Sequence, residues 1–192
     1  MAGKQAKILS DTDVQDLLFY ASTSRYPQRN IVIVLLSIKA GLRAGEIAKL
    51  TWDLVLDSRG EVGTVIELRD HAAKKQSGRL IPIHLGLRRA LMEWRSMTGS
   101  TGPVIRSERS GGAMRPISVV MWFAAAYRAR GLEGCSSHSG RRTFITRAAR
   151  VVHKAGGSLR DVQLLAGHRS LKTTERYIDG DTDAQRRLVA LI

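Results

Sequence analysis

Apolar side chains recur at helical spacing through most of the chain. Val14 and Leu17 follow the polar run Ser10–Asp13, which is typical of the capped start of a helix. The same spacing, bounded by proline, serine or glycine, predicts further helices: Pro27–Lys39, Leu42–Leu50, Leu87–Met97, Pro116–Tyr127, Ser139–Ala155 with Ser136 or Ser137 as its cap, a short one between Ser158 and Gly167, Ser170–Tyr177 and Asp181–Leu191.

The centre of the chain departs from the helical pattern. Val62–Leu68 and Leu80–His84 are short apolar runs, and the polar segment His71–Arg79 between them contains Gly78. This pattern predicts two strands joined as a hairpin. The whole pattern therefore predicts an α+β fold, mainly α-helical, with a small antiparallel β-sheet.

Composition narrows the choice of partner. The 192 residues, 43% of them hydrophobic, suffice for one domain with its own core, so we expect a single domain over residues 1–192. Lysine and arginine number 31 against 17 acidic residues, which gives a net charge of +14. Because basic surfaces release counterions when they bind phosphates, this charge favours a nucleic-acid partner over a merely soluble basic protein.

Other features narrow the compartment and the chemistry. Cys135 is the single cysteine, which excludes a disulfide framework and a cysteine-based zinc site and favours a reducing, intracellular compartment. The first residues lack the apolar core of a signal peptide, and the longest apolar run, Ile31–Leu36, is too short to span a bilayer. We therefore expect no membrane association.

Two arginines stand on predicted apolar helix faces. Arg43 shares a stripe with Ile47 and Leu50, and Arg141 heads the apolar stripe of a helix that His138 precedes by three residues. Such an arginine either lies at the edge of the stripe with its charge in water or is partly buried facing an anion. Taken alone, the first interpretation is the commoner one, and His138-x-x-Arg141 is a weak motif.

A third motif closes the series. Gly167 ends a predicted helix, His168 follows at once, and Tyr177 comes nine residues later. A single histidine or tyrosine in such a place usually packs rather than reacts. The order and separation of the three motifs change this interpretation.

Together these residues resemble the signature of the tyrosine recombinase (phage integrase) family, catalytic domain. The resemblance rests on Arg43 in Gly-Leu-Arg-x-Gly-Glu-Ile, the His138-x-x-Arg141 pair, the Leu-x-Gly-His168 turn and Tyr177, and covers about Leu9 to Tyr177. The family also places a lysine in the hairpin loop, where the loop length favours Lys74 over Lys75. Many members have Asp-Leu where this chain has Ser139-Gly140, a difference that leaves both functional side chains in place.

The resemblance implies a reaction. Tyr177 would attack the scissile phosphate of double-stranded DNA to give a 3′-phosphotyrosine, with Arg43, Arg141 and His168 on the phosphate oxygens. His138 would assist proton transfer at the tyrosine and Lys74 would protonate the leaving 5′-oxygen.

The same resemblance implies the setting of that reaction. No metal, ATP or other cofactor is needed, because the bond energy is kept in the protein–DNA link. We expect a cytoplasmic, prokaryotic or phage-encoded enzyme of DNA recombination and integration whose protomers assemble on DNA as a tetramer, here without the family's N-terminal core-binding domain.

Three other functions stay open at this point. A type IB topoisomerase uses a similar set of residues to relax DNA without a partner subunit. A degenerate integrase fragment would bind DNA without cutting it, although six intact positions argue against decay. A basic RNA- or ribosome-associated protein is disfavoured because only 5% of the residues are aromatic and available for base stacking.

Overall fold

Helices dominate the described part of the chain, which comprises residues 5–70, 72, 78–177, 189, 190 and 192 of a computed structural model. The helices are α1 (Asp11–Thr23), α2 (Pro27–Lys39), α3 (Ala44–Lys49), α4 (Leu85–Thr98), α5 (Pro116–Ala129), α6 (Ser139–Val151), α7 (Leu159–Ala166) and α8 (Leu171–Glu175). Strands β1 (Val65–Leu68) and β2 (Arg79–Pro82) pair antiparallel, with Val65 opposite Pro82 and Leu68 opposite Arg79. The predicted fold class is confirmed.

Helix α2 is the centre of the main core. Its residues from Val32 to Ile38 are all buried, as expected for a helix that is apolar on almost every side. It packs against α1, α4 and α6, while α3 packs against α5. None of the helices in the described ranges has the length and apolar character needed to cross a membrane.

A second, smaller apolar cluster lies between α6 and α7. It consists of Ile145, Ala149, Val152, Val162 and Ala166, with Tyr177 packed at its edge. Helix α6 also packs on α2 of the main core. Residues on α6 are therefore placed at the junction of the two clusters.

Local capping chemistry fixes several helix starts as predicted. Ser10 Oγ accepts a hydrogen bond from the amide of Asp13 (3.0 Å), and the Asp13 carboxylate accepts one from the amide of Ser10 (2.8 Å). Ser158 and Asp161 form the same reciprocal box at the start of α7.

The predicted strands and the predicted helices Leu42–Leu50 and Ser139–Ala155 are longer than the observed ones. Val62 forms a bridge with Leu56 instead of joining the ladder, which shortens β1. Helix α6 is capped by His138, so the predicted serine cap is wrong by one or two positions. Its predicted last turn, Val152–Ala155, tightens into a 3₁₀ turn that ends at Gly156.

Two other predicted helices also differ. Helix α8 ends at Glu175, so Tyr177 lies in the turn that follows it. The predicted helix Asp181–Leu191 falls almost wholly outside the described residues.

Gly140 allows α6 to approach α2 closely. A Cβ atom at this position would overlap Ser37 Oγ and would come within 3.0 Å of Ser37 Cβ and 3.1 Å of Ile38 Cγ1. Ser37 is fully buried, so it cannot move into solvent. The glycine that replaces leucine of the family pattern therefore matches the close packing of these two helices.

Gly140→Ala should lower the free energy of unfolding by about 1–3 kcal/mol, because the overlap outweighs the better helix propensity of alanine. The matched control is Gly45→Ala in α3, where an added Cβ meets nothing within 4 Å. That variant should be neutral or more stable by up to about 1 kcal/mol. The free energies of unfolding of both variants are measured by urea denaturation. Equal stabilities of the two variants would show that the α2–α6 contact is not tight.

Candidate active site

Five of the six predicted side chains lie in the described ranges, each at the end of a helix. Arg43 caps α3 and His138 caps α6, while Arg141 lies in the first turn of α6. His168 directly follows the left-handed residue that ends α7, and Tyr177 lies two residues beyond α8. Lys74 and its alternative Lys75 lie outside the described residues.

Arg141 is buried and joins the two apolar clusters. Its guanidinium donates to the carbonyl of Gly41 at the end of α2 (2.6 Å) and to that of Ala166 at the end of α7 (2.6 Å). Burial, together with the positive charges of Arg43 and Arg79, lowers the pKa of Arg141 to about 10, so it is still a cation at neutral pH. Of the two sequence interpretations, the buried one holds.

The turn that presents the Gly41 carbonyl requires glycine. Gly41 has φ +64°, and a Cβ atom there would overlap the ring of Phe144 on α6. Any other residue would strain the backbone at this positive φ and would displace the Phe144 ring, at the turn whose carbonyl accepts from Arg141.

Glu46 holds Arg43 and a second arginine that the sequence analysis did not single out. Arg43 Nη1 donates to Glu46 Oε1 (2.7 Å), and Arg79 donates to both carboxylate oxygens (3.3 and 3.0 Å). Burial alone would raise the pKa of Glu46. The hydrogen bonds and charges of Arg79 and Arg43 outweigh it and lower the pKa to about 2. The carboxylate therefore stays ionised.

Arg79 also reaches the turn that carries His168. Its Nε donates to the carbonyl of Leu165 (2.9 Å). Gly167 adopts φ +62°, and a Cβ atom there would lie 2.9 Å from Arg79 Nη1. This arginine thus connects strand β2, the Glu46 carboxylate and the end of α7.

His168 is fixed on both its backbone and its ring. Its amide donates to the Gln163 carbonyl (3.0 Å), and its carbonyl accepts from Gln163 Nε2 (2.9 Å). Its ring lies between Arg141 and Thr174 and stacks on Tyr177, with 5.3 Å between ring centroids. Burial and the charges of Arg141, Arg43 and Arg79 lower the pKa of His168 to about 4.

Tyr177 lies beside an open cleft. Thr146 Oγ1 donates to its carbonyl (3.0 Å), which ties its turn to α6. The cleft has a volume of about 240 Å³ and is lined by His138, Arg141, Tyr177 and the N-terminal residues Gln5 and Ala6. His138 also lines a neighbouring cleft of about 280 Å³ that contains Arg43.

The charges at this site do not balance. Arg43 and Arg79 lie close enough to lower the pKa of Arg141, and Glu46 is the acidic partner among these four residues, so together they carry a charge of +2. The described residues contain no group of three or more His, Cys, Asp or Glu side chains arranged for a metal ion. The site therefore favours an anion, and guanidinium forks suit a phosphate.

Sequence reasoning missed Glu46, Arg79 and Thr174. Glu46 lies three residues after Arg43, the spacing of a capping box, and this was the available signal. Arg79 entered the sequence analysis only as the end of the predicted hairpin loop. No pattern in the neighbouring sequence indicates its contact with Leu165, which is 86 residues away. Thr174 gave no signal at all, because its contact with His168 depends on the turn between α7 and α8.

The comparisons with known proteins identify the family. A model of the phage integrase family matches residues 7–183. The chain belongs to the phage integrase family. Among curated members, the tyrosine recombinase XerC of Erythrobacter litoralis (strain HTCC2594) is 29% identical over 198 residues, which cover 97% of this chain and 58% of that protein. The chain spans about half the length of the curated relatives it matches.

Solved structures show the same fold. The XerA recombinase superposes with a TM-score of 0.74 at 21% identity over 96% of this chain and 64% of that one. The Tn1549 transposon integrase in complex with a circular intermediate DNA gives 0.75 at 18% identity over 100% of this chain and 67% of that one. The predicted family and fold are both confirmed.

Stability should depend on the protonation of His168. The ordinary pKa of 6.5 applies to the unfolded chain and about 4 to the folded one, so on acidification the unfolded state takes up a proton first. The free energy of unfolding should therefore fall by about 2 kcal/mol between pH 7 and pH 5, and this loss continues down to the folded pKa.

His168→Asn should flatten this dependence, even though the variant is less stable overall. The matched control is His153→Asn, at an exposed histidine after α6. It should keep the slope of the parent chain. Urea titrations at four or five pH values above 5, where Glu46 stays ionised in the folded chain, measure the pH dependence of the free energy of unfolding for both variants. A parent-like slope in His168→Asn would contradict the low pKa.

Proposed function

We propose that this chain is the catalytic domain of a site-specific DNA recombinase or integrase that cuts and rejoins DNA through Tyr177. The observation that carries the proposal is a buried group of arginines with excess positive charge, joined through His168 to a tyrosine beside an open cleft. The names of the curated relatives, tyrosine recombinases, support the same reaction.

In the proposed step, Tyr177 Oη attacks the phosphorus of a scissile phosphodiester. The new bond is a 3′-phosphotyrosine, and the bond that breaks releases a 5′-hydroxyl. A phenol is a weak nucleophile while it keeps its proton, so it has to be positioned and deprotonated. Rejoining reverses the step with another 5′-hydroxyl, so the cycle consumes neither water nor ATP.

The arginines act on the charge that builds up on the non-bridging oxygens. Arg141 is fixed by backbone carbonyls on two helix ends, and Arg43 by Glu46. Donors that are already oriented lose little energy to reorganisation during the reaction, and removing one donor of this kind typically costs about 3–4 kcal/mol of barrier. No metal is needed for this function.

Three further groups complete the proposed mechanism. His168 donates a hydrogen bond to the phosphate, and His138, which lines the cleft beside Tyr177, assists proton transfer at the phenol. Lys74, or Lys75 if the hairpin loop is one residue shorter, protonates the leaving 5′-oxygen. The assignment of the lysine rests on the sequence resemblance, since both candidates fall outside the described residues.

The substrate is double-stranded DNA, and we propose that protomers assemble on it, as a tetramer, because exchange between two duplexes requires four cleavages. Support comes from solved relatives: a lambda integrase dimer bound to a core site and a XerH recombinase bound to its palindromic difH substrate. We place the enzyme, whether prokaryotic or phage-encoded, in the cytoplasm, where DNA is accessible. The net charge of +14 is suited to this partner.

Tyr177→Phe should abolish covalent attachment to DNA and leave binding nearly unchanged, since one hydroxyl is lost. Nicked duplexes with a randomised central sequence trap the covalent product, because the short strand beyond the nick diffuses away. Adducts are recovered by detergent-resistant precipitation, and the attached residue is identified by mass spectrometry. Tyr20→Phe, at a half-buried tyrosine packed on Trp122, is the matched control and should react like the parent. Adducts that persist in Tyr177→Phe would remove Tyr177 from its role, and an unreactive parent would overturn the proposed function.

A lysine that acts as general acid should become dispensable when the leaving group needs no proton. Lys74→Ala should cut poorly on normal DNA and recover on a 5′-bridging phosphorothiolate, whose sulfur leaves as a thiolate. Lys75→Ala is the matched control and should need no rescue. Rescue of Lys75→Ala alone would move the role by one residue, and rescue of neither would exclude the hairpin as the source of the acid.

A further inference from the structure

The hydroxyl of Thr174 faces the His168 ring on the side opposite Arg141. Thr174 is fully buried in α8, and its Oγ1 lies 3.0 Å from His168 Nδ1. On the other side of the ring, Nε2 lies 3.1 Å from Arg141 Nη2. Both ring nitrogens therefore have one hydrogen-bond partner each.

The contact with Arg141 fixes which nitrogen carries the proton, and the Thr174 hydroxyl adapts to it. A guanidinium can only donate, so Nε2 facing Arg141 must be the unprotonated acceptor. The proton of the neutral ring is then at Nδ1 and is donated to Thr174 Oγ1. The lowered pKa of His168, about 4, means that the ring is neutral at neutral pH and carries this one proton.

Donation from a neutral ring to a bound phosphate requires the opposite arrangement. An anionic oxygen near Arg141 and His168 accepts from both only if Nε2 carries a proton. Since a neutral imidazole has one proton, Nδ1 must then become an acceptor, and its partner must donate. A hydroxyl can serve as acceptor in the first state and as donor in the second, which an amide N–H or a carbonyl cannot do.

We infer that Thr174 is a positioning residue that holds His168 in one tautomer without an anion and in the other when a phosphate is bound. The inference rests on the proposed function and deepens it. In the exchange, the ring loses its Nδ1 proton to solvent and gains one from solvent at Nε2, so its charge is unchanged. The Thr174 hydroxyl rotates from accepting to donating. Arg141 releases Nε2 and both groups donate to the phosphate.

Thr174 also positions the nucleophile. The amide of Tyr177 donates to the Thr174 carbonyl (3.0 Å), so the same residue sets the ring of His168 and the turn that carries Tyr177. The ring of Tyr177 stacks on that of His168. The tautomer of His168 and the position of the tyrosine are thus defined by one residue.

Nuclear magnetic resonance of the full chain with ¹⁵N-labelled histidine reports the tautomer directly. Without anions, His168 should show a protonated Nδ1 and an unprotonated Nε2. Titration with inorganic phosphate, the probe for the anion site, should move the proton to Nε2. An anion-free ring already protonated at Nε2 overturns the inference, and so does a ring that keeps its proton at Nδ1 at every phosphate concentration.

Variants separate this role from a merely structural one. In Thr174→Val the anion-free ring should keep its proton at Nδ1, because Nε2 still faces Arg141, but phosphate should no longer move the proton to Nε2, because no hydroxyl is left to donate to Nδ1. Adduct formation should fall on the order of tenfold, the low end of the loss caused by removing the outer hydrogen-bond partner of a metal-binding histidine. Thr174→Ser keeps the hydroxyl and should restore both the spectrum and the adduct.

The control for stability is Thr143→Val. Thr143 is a fully buried threonine whose hydroxyl accepts from the amide of Leu9 (2.8 Å), away from the histidine. It should keep the parent tautomer and the parent rate of adduct formation. An equal loss of adduct in Thr143→Val and Thr174→Val, with a parent-like shift of the proton to Nε2 on addition of phosphate in both, would make Thr174 structural only. The phosphate titration does not require catalysis, so a parent chain that forms no adduct refutes the proposed function independently of the tautomer result.

Discussion

The buried carboxylate of Glu46 is the interaction on which the site depends. Arg43 and Arg79 meet on it, and without a negative charge between them they would repel each other and the nearby Arg141. Burying a charge is costly unless it is paired and fully hydrogen-bonded, and Glu46 meets this condition with donors on both oxygens. One carboxylate thus keeps several guanidinium groups close together and still leaves the excess of positive charge that a phosphate can neutralise.

Helix ends supply the five predicted residues of this site that the structure describes, and the reason is chemical. The first and last turns of a helix leave amides and carbonyls without partners inside the helix. Arg141 uses two such carbonyls, those of Gly41 and Ala166, as fixed acceptors. These hydrogen bonds avoid the cost of leaving the carbonyls buried without a partner and reduce the cost of burying the guanidinium. The same contacts therefore complete the two helix ends and orient a functional side chain.

The parts of the structure that depend on neighbours in sequence were predictable. Ser10 with Asp13, and Ser158 with Asp161, mark helix starts because a capping box is a three-residue relationship. The order of Arg43, His138, Arg141, His168 and Tyr177 was sufficient to predict the family, although not how the side chains meet. Arg141 contacts the carbonyl of a residue 100 positions earlier in the chain, and a pattern of neighbouring residues cannot predict such a contact. Glycine is a poor helix former, and the fit of Gly140 against Ser37 emerges only when two helices are packed together.

The two apolar clusters have a consequence for the proposed reaction. Arg43 and Glu46 lie at the start of α3 beside residues of the main core, whereas Tyr177 packs on the smaller cluster of α6 and α7, and Arg141 links the two. Under the proposed function, the groups that act on one phosphate therefore come from both packing units of a single domain, with Arg141 between them. A small slide of one unit against the other would change the distance from Tyr177 to Arg43. The alignment of the tyrosine would then be sensitive to how tightly the two clusters pack.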